Sequence, residues 1–221
     1  MWWLRFNSLK EAEASVGGLS APSKMPSYAW SISAKRCDMG SKLAKIEGSV
    51  CNKCYALKGR YMFPMVQNAL EQRYEKWAEN RDEWTNAMIY IMNTKKHIIK
   101  TGVFRWFDSG DIQGEGMLSD INTIAWSSPN IRFWLPTKEY KLVKEYTQNN
   151  DIAPNLIIRV SNPNVNSNTL RGHDYISSVY SKDMLENSDG YICPSSKQGN
   201  QCKDCRACWS DKISEVSYIA H

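Results

Sequence analysis

Three short apolar runs recur at regular intervals in the second half of the chain. They cover residues 103–107, 131–135 and 156–160, and amphipathic stretches at 117–125 and 139–146 separate them. Short apolar runs bounded by polar residues indicate buried β-strands, and apolar residues at helical spacing indicate helices. Because strands and helices alternate, the pattern predicts βαβ units and an α/β fold with a parallel sheet.

The first half of the chain predicts one strand and two helices. Residues 28–33 favour a strand, Pro64 suits the first position of a helix, and Asp82 is typical of the cap of a second helix. The apolar stripes of the two helices are Val66, Leu70, Tyr74 and Trp77, and then Trp84, Met88, Ile91 and Ile98. Aromatic residues in phase with such stripes, Trp106 and Trp134 included, are predicted to fill the core rather than to stack on nucleic-acid bases.

Polar residues follow each of the three later strands directly. They are Asp108, Ser109, Gly110 and Asp111 after the first, Pro136, Thr137 and Lys138 after the second, and Ser161 and Asn162 after the third. The carboxyl ends of parallel strands lie at one edge of the sheet, where α/β proteins bind their ligands. These residues are therefore expected to share a site. From Asn162 onward the chain is rich in Ser, Asn, Asp and Gly, which predicts an irregular region that closes over the sheet.

Composition places the chain among ordinary soluble proteins. Hydrophobic residues make up 42% and charged residues 23% of the 221 residues, and the apolar runs are far shorter than the ~20 residues needed to cross a bilayer. The first six residues lack the features of a signal peptide, so a cytoplasmic protein is expected. A net charge of +5 permits an anionic partner such as a nucleic acid or a nucleotide, but a solvated, slightly basic surface is the simpler explanation.

The seven cysteines change this picture, because they fall into two groups at either end of the chain. An odd number in a reducing compartment argues against a disulfide framework. The late group is Cys193, Cys202, Cys205 and Cys208, and its overlapping x2 spacings are typical of the consecutive ligands of a [4Fe–4S] cluster. Four cysteines also suit zinc, which remains the alternative for a stabilising site.

The early group consists of Cys37, Cys51 and Cys54, just past the predicted first strand. Three thiolates on a [4Fe–4S] cluster leave one iron open to chelate a small molecule. Two alternatives remain open: the three do not act together, or Cys193 completes a four-cysteine site with them.

Several elements together resemble one family. They are Ser31-Ile32-Ser33, Cys51-Asn52-Lys53-Cys54-Tyr55-Ala56, Gly59-Arg60-Tyr61, residues 105–111, and Cys193-Pro194 with the late cysteines and Trp209. The chain resembles the phage and prophage group labelled gene product eighty-eight-like, which implies the cytoplasm of an infected host as its location. The Cys-x2-Cys-Tyr-Ala element also resembles proteins of the radical S-adenosylmethionine (SAM) superfamily. That resemblance implies a partial (β/α) barrel, with residues 1–26 as a lead-in, 27–162 as the barrel and 163–221 as an irregular cysteine-rich extension.

The same resemblance implies roles for individual residues. Cys37, Cys51 and Cys54 would hold a cluster whose open iron binds SAM, and reductive cleavage of SAM would give a 5′-deoxyadenosyl radical. Asp108, Ser109, Gly110 and Asp111 would contact the SAM amino group, Lys138 and Arg159 would reach its carboxylate or an anionic substrate, and Ser161 and Asn162 would bind the ribose. The substrate would lie near Arg105, Asp108, Asp111, Lys138 and Arg159. In structural terms, the Asp-Ser-Gly-Asp sequence is also ordinary turn chemistry, and Arg159 also suits a buried ion pair.

Three functions are therefore compatible with the sequence. The first is a radical-SAM-type enzyme with an auxiliary cluster on the late cysteines. The second is a non-catalytic [4Fe–4S] protein that binds a macromolecule, and the third is a zinc-stabilised module that binds nucleic acid. The sequence names neither a substrate nor an oligomeric state.

Overall fold

The computed structural model describes residues 6–220, and within them seven β-strands form one sheet in which every neighbouring pair is parallel. The strands are β1 Ala29–Trp30, β2 Val103–Trp106, β3 Arg132–Thr137, β4 Leu156–Val165, β5 Ile176–Tyr180, β6 Tyr191–Ile192 and β7 Glu215–Ile219. Their order is β1-β2-β3-β4-β5-β7-β6. The α/β class is thus confirmed, and the described strands form an open sheet, not a closed barrel.

Helices occupy the connections between the early strands. They are α1 Leu9–Ser15, α2 Asp38–Leu43, α3 Pro64–Glu79, α4 Arg81–Thr94, α5 Lys96–Thr101, α6 Glu115–Trp126 and α7 Tyr140–Asn149. The predicted helix starting at Pro64 is confirmed as α3. The second predicted helix differs at both ends. The cap is Asn80, which accepts from the N–H of Glu83 at 3.1 Å, and not Asp82. The helix also breaks at Lys95, whose backbone is extended and whose ammonium pairs with Glu13 at 2.6 Å.

The two faces of the sheet have different covers. Because side chains alternate along a strand, Phe104 and Trp106 of β2 face the main core, which the helices complete. Val103 and Trp134 face the other side, where they pack against Ala207, Cys208 and Trp209 of the C-terminal segment. The indole N–H of Trp209 donates to the carbonyl of Phe104 at 2.7 Å. The late cysteine segment is therefore built into the second face of the sheet. The predicted core role of the tryptophans in the stripes is confirmed.

Two regions differ from the sequence-based expectation. The segment after residue 162 contributes β5, β6 and β7 to the sheet, so the prediction that it is irregular was wrong for these stretches. The predicted lead-in contains α1. The N-cap of this helix is Ser8, whose side chain accepts a hydrogen bond from the N–H of Glu11. The interpretation of the extreme N-terminus as free of a signal peptide rests on residues 1–5, which lie outside the described residues. Between residues 6 and 220, none of the helices has the length and apolar character needed to span a bilayer.

Candidate metal centres

The early cysteines lie just beyond the carboxyl end of β1. Cys37 is the residue from which α2 begins, and Cys51 and Cys54 lie in the loop after that helix. Gly40 of α2 lies against two of the early cysteines: a Cβ at this position would clash with Cys37 Cβ at 2.9 Å and would lie 3.5 Å from Cys37 Sγ and 3.9 Å from Cys51 Sγ. The absence of a side chain at Gly40 therefore lets Cys37 pack closely against α2, with the Cys51 sulfur nearby.

Backbone hydrogen bonds fix the loop of the early cysteines to the end of β4. The N–H of Val50 donates to the carbonyl of Pro163, and the N–H of Val165 donates to the carbonyl of Gly48, both at 2.9 Å. Next to this bridge, the N–H of Cys51 donates to Ser49 Oγ at 3.1 Å. The loop thereby holds Cys51 at the carboxyl edge of the sheet, far along the chain from the strand that anchors it.

Three of the predicted site residues meet at this edge. Asp111 Oδ2 accepts from the backbone N–H of Lys138 at 2.8 Å, and the Lys138 ammonium donates to the carbonyl of Asn162 at 2.5 Å. Burial raises the pKa of Asp111 to about 6, although hydrogen bonds from Thr137, Lys138 and Ile112 favour its charged form. Burial lowers the pKa of Lys138 to about 8, against the attraction of Cys51 and Asp111. These three residues lie together at the carboxyl edge of the sheet, although Asn162 lies within β4, which continues to Val165, and not after the strand as the sequence predicted.

Asp111 and Lys138 also affect the pKa values of the early thiols. Burial raises the pKa of Cys37, and the negative charge of Asp111 and the other two thiols add to the rise. Burial also raises the pKa of Cys51, whereas the Lys138 ammonium opposes this. A thiol must lose its proton to bind a metal, so a bound cation is what would stabilise the thiolates here.

Asp108 lies in a separate hydrogen-bonded group with two tyrosines. Its carboxylate accepts from Ser31 Oγ and, at 3.1 Å, from the hydroxyl of Tyr61, and its carbonyl accepts from the hydroxyl of Tyr55. The Tyr55 hydroxyl therefore points inward, while the side chain as a whole stays 53% exposed. Neither tyrosine was assigned a role from the sequence, although both lie in the elements that carry the family resemblance. The signal in the sequence that could have found them is their closeness to Cys54, which Tyr55 follows directly.

Ser109 and Gly110 shape the turn that carries the two aspartates. The carbonyl of buried Ser109 accepts from the N–H of Ile32 at 3.2 Å, which joins the turn to the chain after β1. Gly110 has φ +81°, and a Cβ there would lie 2.7 Å from the carbonyl oxygen of Ile32 and closer still to its side chain. Only glycine fits this conformation and space.

The late cysteines line one small cavity. Its lining includes Cys193, Cys202, Cys205 and Cys208, together with Tyr191, Pro194, Ser195 and Trp209. Tyrosine hydroxyls approach two of the sulfurs: Tyr218 lies 3.0 Å from Cys208 and Tyr191 lies 3.7 Å from Cys205. Burial raises the pKa of Cys208 to about 12. Cys193, whose group the sequence left open, lines the same cavity as the other three late cysteines.

Arg159 and Ser161 lie within the sheet and its cover. Arg159 is fully buried, and its guanidinium donates to backbone carbonyls of β5 and of the C-terminal segment. These acceptors are Ile176 at 3.0 Å, Ser214 at 3.1 Å, Ile213 at 3.0 Å, and Ala207 and Ser210 at 3.5 Å. Ser161 Oγ lies 2.9 Å from Ser177 Oγ of β5. The contacts of Arg159 are those of a residue that anchors the late cysteine segment, and no ion pair of the kind considered from sequence forms with it in the described residues.

Arg105 lies between the two groups of cysteines. Its guanidinium carbon is 4.5 Å from the ring centroid of Trp134, and its Nη1 lies 3.7 Å from the sulfur of Met25. The same Met25 sulfur lies 3.8 Å from Cys202 Sγ. Burial raises the pKa of Tyr55 and the pKa of Cys202, and the charge of Arg105 opposes both effects. One cation thus acts on the tyrosines beside Asp108 and on the late thiols.

The donor set is suited to soft metals and clusters, since thiolates select iron–sulfur clusters and zinc. Across residues 6–220, no three His, Cys, Asp or Glu side chains converge as the ligands of one metal ion do. The late thiols line one cavity, and the thiols of Cys37 and Cys51 both lie beside Gly40.

Comparison with known proteins gives one finding. A family model described as gene product 88 matches residues 2–211, which is nearly the whole chain. Neither the curated proteins nor the solved structures contain a match to this chain.

Proposed function

The chain belongs to the gene product 88 family, a phage-type family, and from its own residues we propose that it is an iron–sulfur enzyme of the radical-SAM type. Cys37, Cys51 and Cys54 would hold a [4Fe–4S] cluster with one open iron, and the four late cysteines would hold an auxiliary cluster. When bound, the first cluster supplies the electron for reductive cleavage of SAM.

The observation that carries the proposal is the shared position of thiols and polar residues at one edge of the sheet. The bridge from Val50 to Pro163 brings the early cysteine loop to the end of β4, beside the contacts that join Asp111, Lys138 and Asn162. Parallel sheets bind ligands at this edge. Strands β1 to β5 are neighbours in chain order, as in a (β/α) barrel, which supports an incomplete barrel as the scaffold.

The side chains at this edge would contact different groups of SAM or of a substrate. The Lys138 ammonium uses one N–H on Asn162 and keeps two for a carboxylate or another anion. Both oxygens of Asp111 accept backbone N–H groups, so Asp111 positions Lys138 and the turn. Asp108 is then the carboxylate of the turn that would accept from the SAM ammonium, because it is partly exposed whereas Asp111 is buried, and each of its oxygens has a second lone pair.

The late cysteines would serve a second cluster. The cavity that they line is closed by Trp209 and held by the contacts of Arg159, which makes it a rigid part of the second face. Four ligands leave no iron open, so this site is suited to structure or electron transfer. The same features favour the second candidate function, a non-catalytic cluster protein in which the metal stabilises the C-terminal segment.

The test is the iron, sulfide and zinc content of anaerobically purified protein, with EPR spectra of the reduced sample before and after SAM is added. We expect iron and sulfide, and a spectrum that SAM changes. Cys51→Ala should abolish the change and the formation of 5′-deoxyadenosine. Cys205→Ala is the matched control, because it removes a late thiol and should leave the spectral response to SAM in place.

The outcomes separate the candidate functions. Cluster iron that is indifferent to SAM would exclude the enzyme and leave the non-catalytic cluster protein. Stoichiometric zinc without sulfide would contradict both and support a zinc-stabilised module.

A further inference from the structure

Several large apolar side chains are exposed between residues 53 and 65, a segment that we call the 53–65 surface. Phe63 is 60% exposed and Met65 is 82% exposed. The exposed apolar side chains of the segment are Tyr55, Leu57, Met62, Phe63 and Met65. Apolar side chains clustered on a surface mark a site of interaction, whereas single ones do not.

The 53–65 surface is also cationic. The sequence has no Asp or Glu from residue 48 to residue 70, and the surface carries Lys53, Lys58 and Arg60 with their side chains exposed. Along the chain Lys53 precedes the ring of Tyr55, and Lys58 and Arg60 lie between the rings of Tyr55 and Phe63. A partner that carries negative charge at intervals, with flat apolar groups between the charges, is complementary to this order.

The ring of Tyr55 and the backbone next to Phe63 are held in place before any partner binds. The hydroxyl of Tyr55 donates to the carbonyl of Asp108, and its ring meets Tyr61 edge to face with centroids 5.8 Å apart. The side-chain amide of Gln67 donates to the carbonyl of Tyr61 at 2.5 Å, and α3 begins directly after Phe63. Fixed rings lose little conformational entropy when a base stacks on them.

We propose that the 53–65 surface binds single-stranded nucleic acid, with Lys53, Lys58 and Arg60 on the phosphates and with the rings of Tyr55 and Phe63 stacked on bases. Cationic side chains interleaved with aromatic rings are the elements by which proteins hold single strands without reading sequence. An acidic protein partner would use the charges but has no need of two exposed rings. The proposal goes beyond the proposed function and does not depend on the cofactor, since no reductant or SAM takes part in binding.

The experiment is fluorescence anisotropy of a labelled oligothymidylate of about 20 nucleotides, titrated with the full chain at several salt concentrations. We expect the logarithm of the affinity to fall with the logarithm of the salt concentration with a slope of about −2, from about −0.7 for each of three phosphates. Phe63→Ala should weaken binding about tenfold. The triple variant Lys53→Ala, Lys58→Ala, Arg60→Ala should reduce the salt dependence to near zero.

The matched control is Lys10→Ala, Lys96→Ala, Lys100→Ala, which removes the same charge from exposed positions on α1 and α5. It should bind the oligonucleotide as the unchanged protein does. Equal losses in the two triple variants would mean that net charge alone drives binding, which would overturn the proposal. So would an unchanged affinity of Phe63→Ala, equally effective competition by polyglutamate, or no rise in anisotropy. Because all of these side chains are exposed, circular dichroism should show that the variants remain folded.

Discussion

The backbone N–H of Lys138 donates a hydrogen bond of 2.8 Å to Oδ2 of Asp111. This contact joins the residues that follow β2 and β3, and Oδ1 of the same carboxylate accepts from the N–H of Ile112 at 2.8 Å. Burial nevertheless raises the pKa of Asp111 to about 6. The carboxyl group thus holds two strand ends together, and the stability of the fold depends on whether this group is protonated.

The stability should depend on pH through Asp111. Because its pKa is near 6 in the folded protein and near 4 in the unfolded chain, the folded protein binds more protons between these values. The free energy of unfolding should therefore fall as pH rises through this window, by roughly 3 kcal/mol at most. Urea unfolding followed by tryptophan fluorescence measures the slope, and Asp111→Asn should flatten it. The exposed carboxylate of Glu186 provides the control, since Glu186→Gln should keep the slope of the unchanged protein.

The regular part of the fold could be predicted because its signals are local. Strands β2, β3 and β4 are apolar runs, and α3, α6 and α7 carry apolar stripes at helical spacing. Parallel strands place their carboxyl ends together, so the meeting of Asp111, Lys138 and Asn162 followed from the strand assignment. The break between α4 and α5 did not, because it depends on the contact of Lys95 with Glu13, a residue 82 positions away.

Strands β5 and β7 were missed because most of their buried side chains are polar. Asn162 donates to Ser178 Oγ at 2.9 Å, and Ser178 donates to Glu215 Oε1 at 2.5 Å. A hydrogen-bonded network can fill a core, but serine-rich stretches are typical of loops when read from the sequence. The bridge from Val50 to Pro163 joins distant parts of the chain and has no local signal either. The position of the early cysteines could therefore not be predicted from the sequence.

Removal of the Arg159 guanidinium should loosen the late cysteine segment. In Arg159→Met, buried carbonyls such as those of Ile213 and Ser214 would lose their donor, and unsatisfied buried groups cost about 1–3 kcal/mol each. We expect a loss of at least about 3 kcal/mol in the free energy of unfolding by urea titration. The control is Arg132→Met, which breaks an exposed ion pair with Asp211 and should cost less than about 1 kcal/mol. Similar losses in both variants would contradict the anchoring role.

The thiol of Cys208 should react more slowly than the thiol of glutathione in metal-free protein. It is buried, and burial raises its pKa to about 12. Because the thiolate is the reactive form, its alkylation rate should still increase about tenfold per pH unit near pH 10, where an ordinary thiol with a pKa near 8.5 has levelled off. Mass spectrometry of peptides after timed treatment with iodoacetamide measures the rate, and glutathione serves as the free-thiol standard. A plateau for Cys208 at the pH of glutathione would contradict the prediction.

Alanine at Gly110 should destabilise the turn that carries Asp108 and Asp111. The position has φ +81°, which costs an alanine about 1–2 kcal/mol, and the new Cβ would lie 2.7 Å from the carbonyl oxygen of Ile32. Overpacking of a filled site adds about 1–3 kcal/mol, so we expect a total loss of about 2–5 kcal/mol in the free energy of unfolding by urea titration. Gly18→Ala separates the two effects, since Gly18 has φ +79° but no neighbouring atom within 4 Å of the position that a Cβ would take. It should show the backbone cost alone. Equal losses at Gly18 and Gly110 would mean that contact with Ile32 contributes nothing.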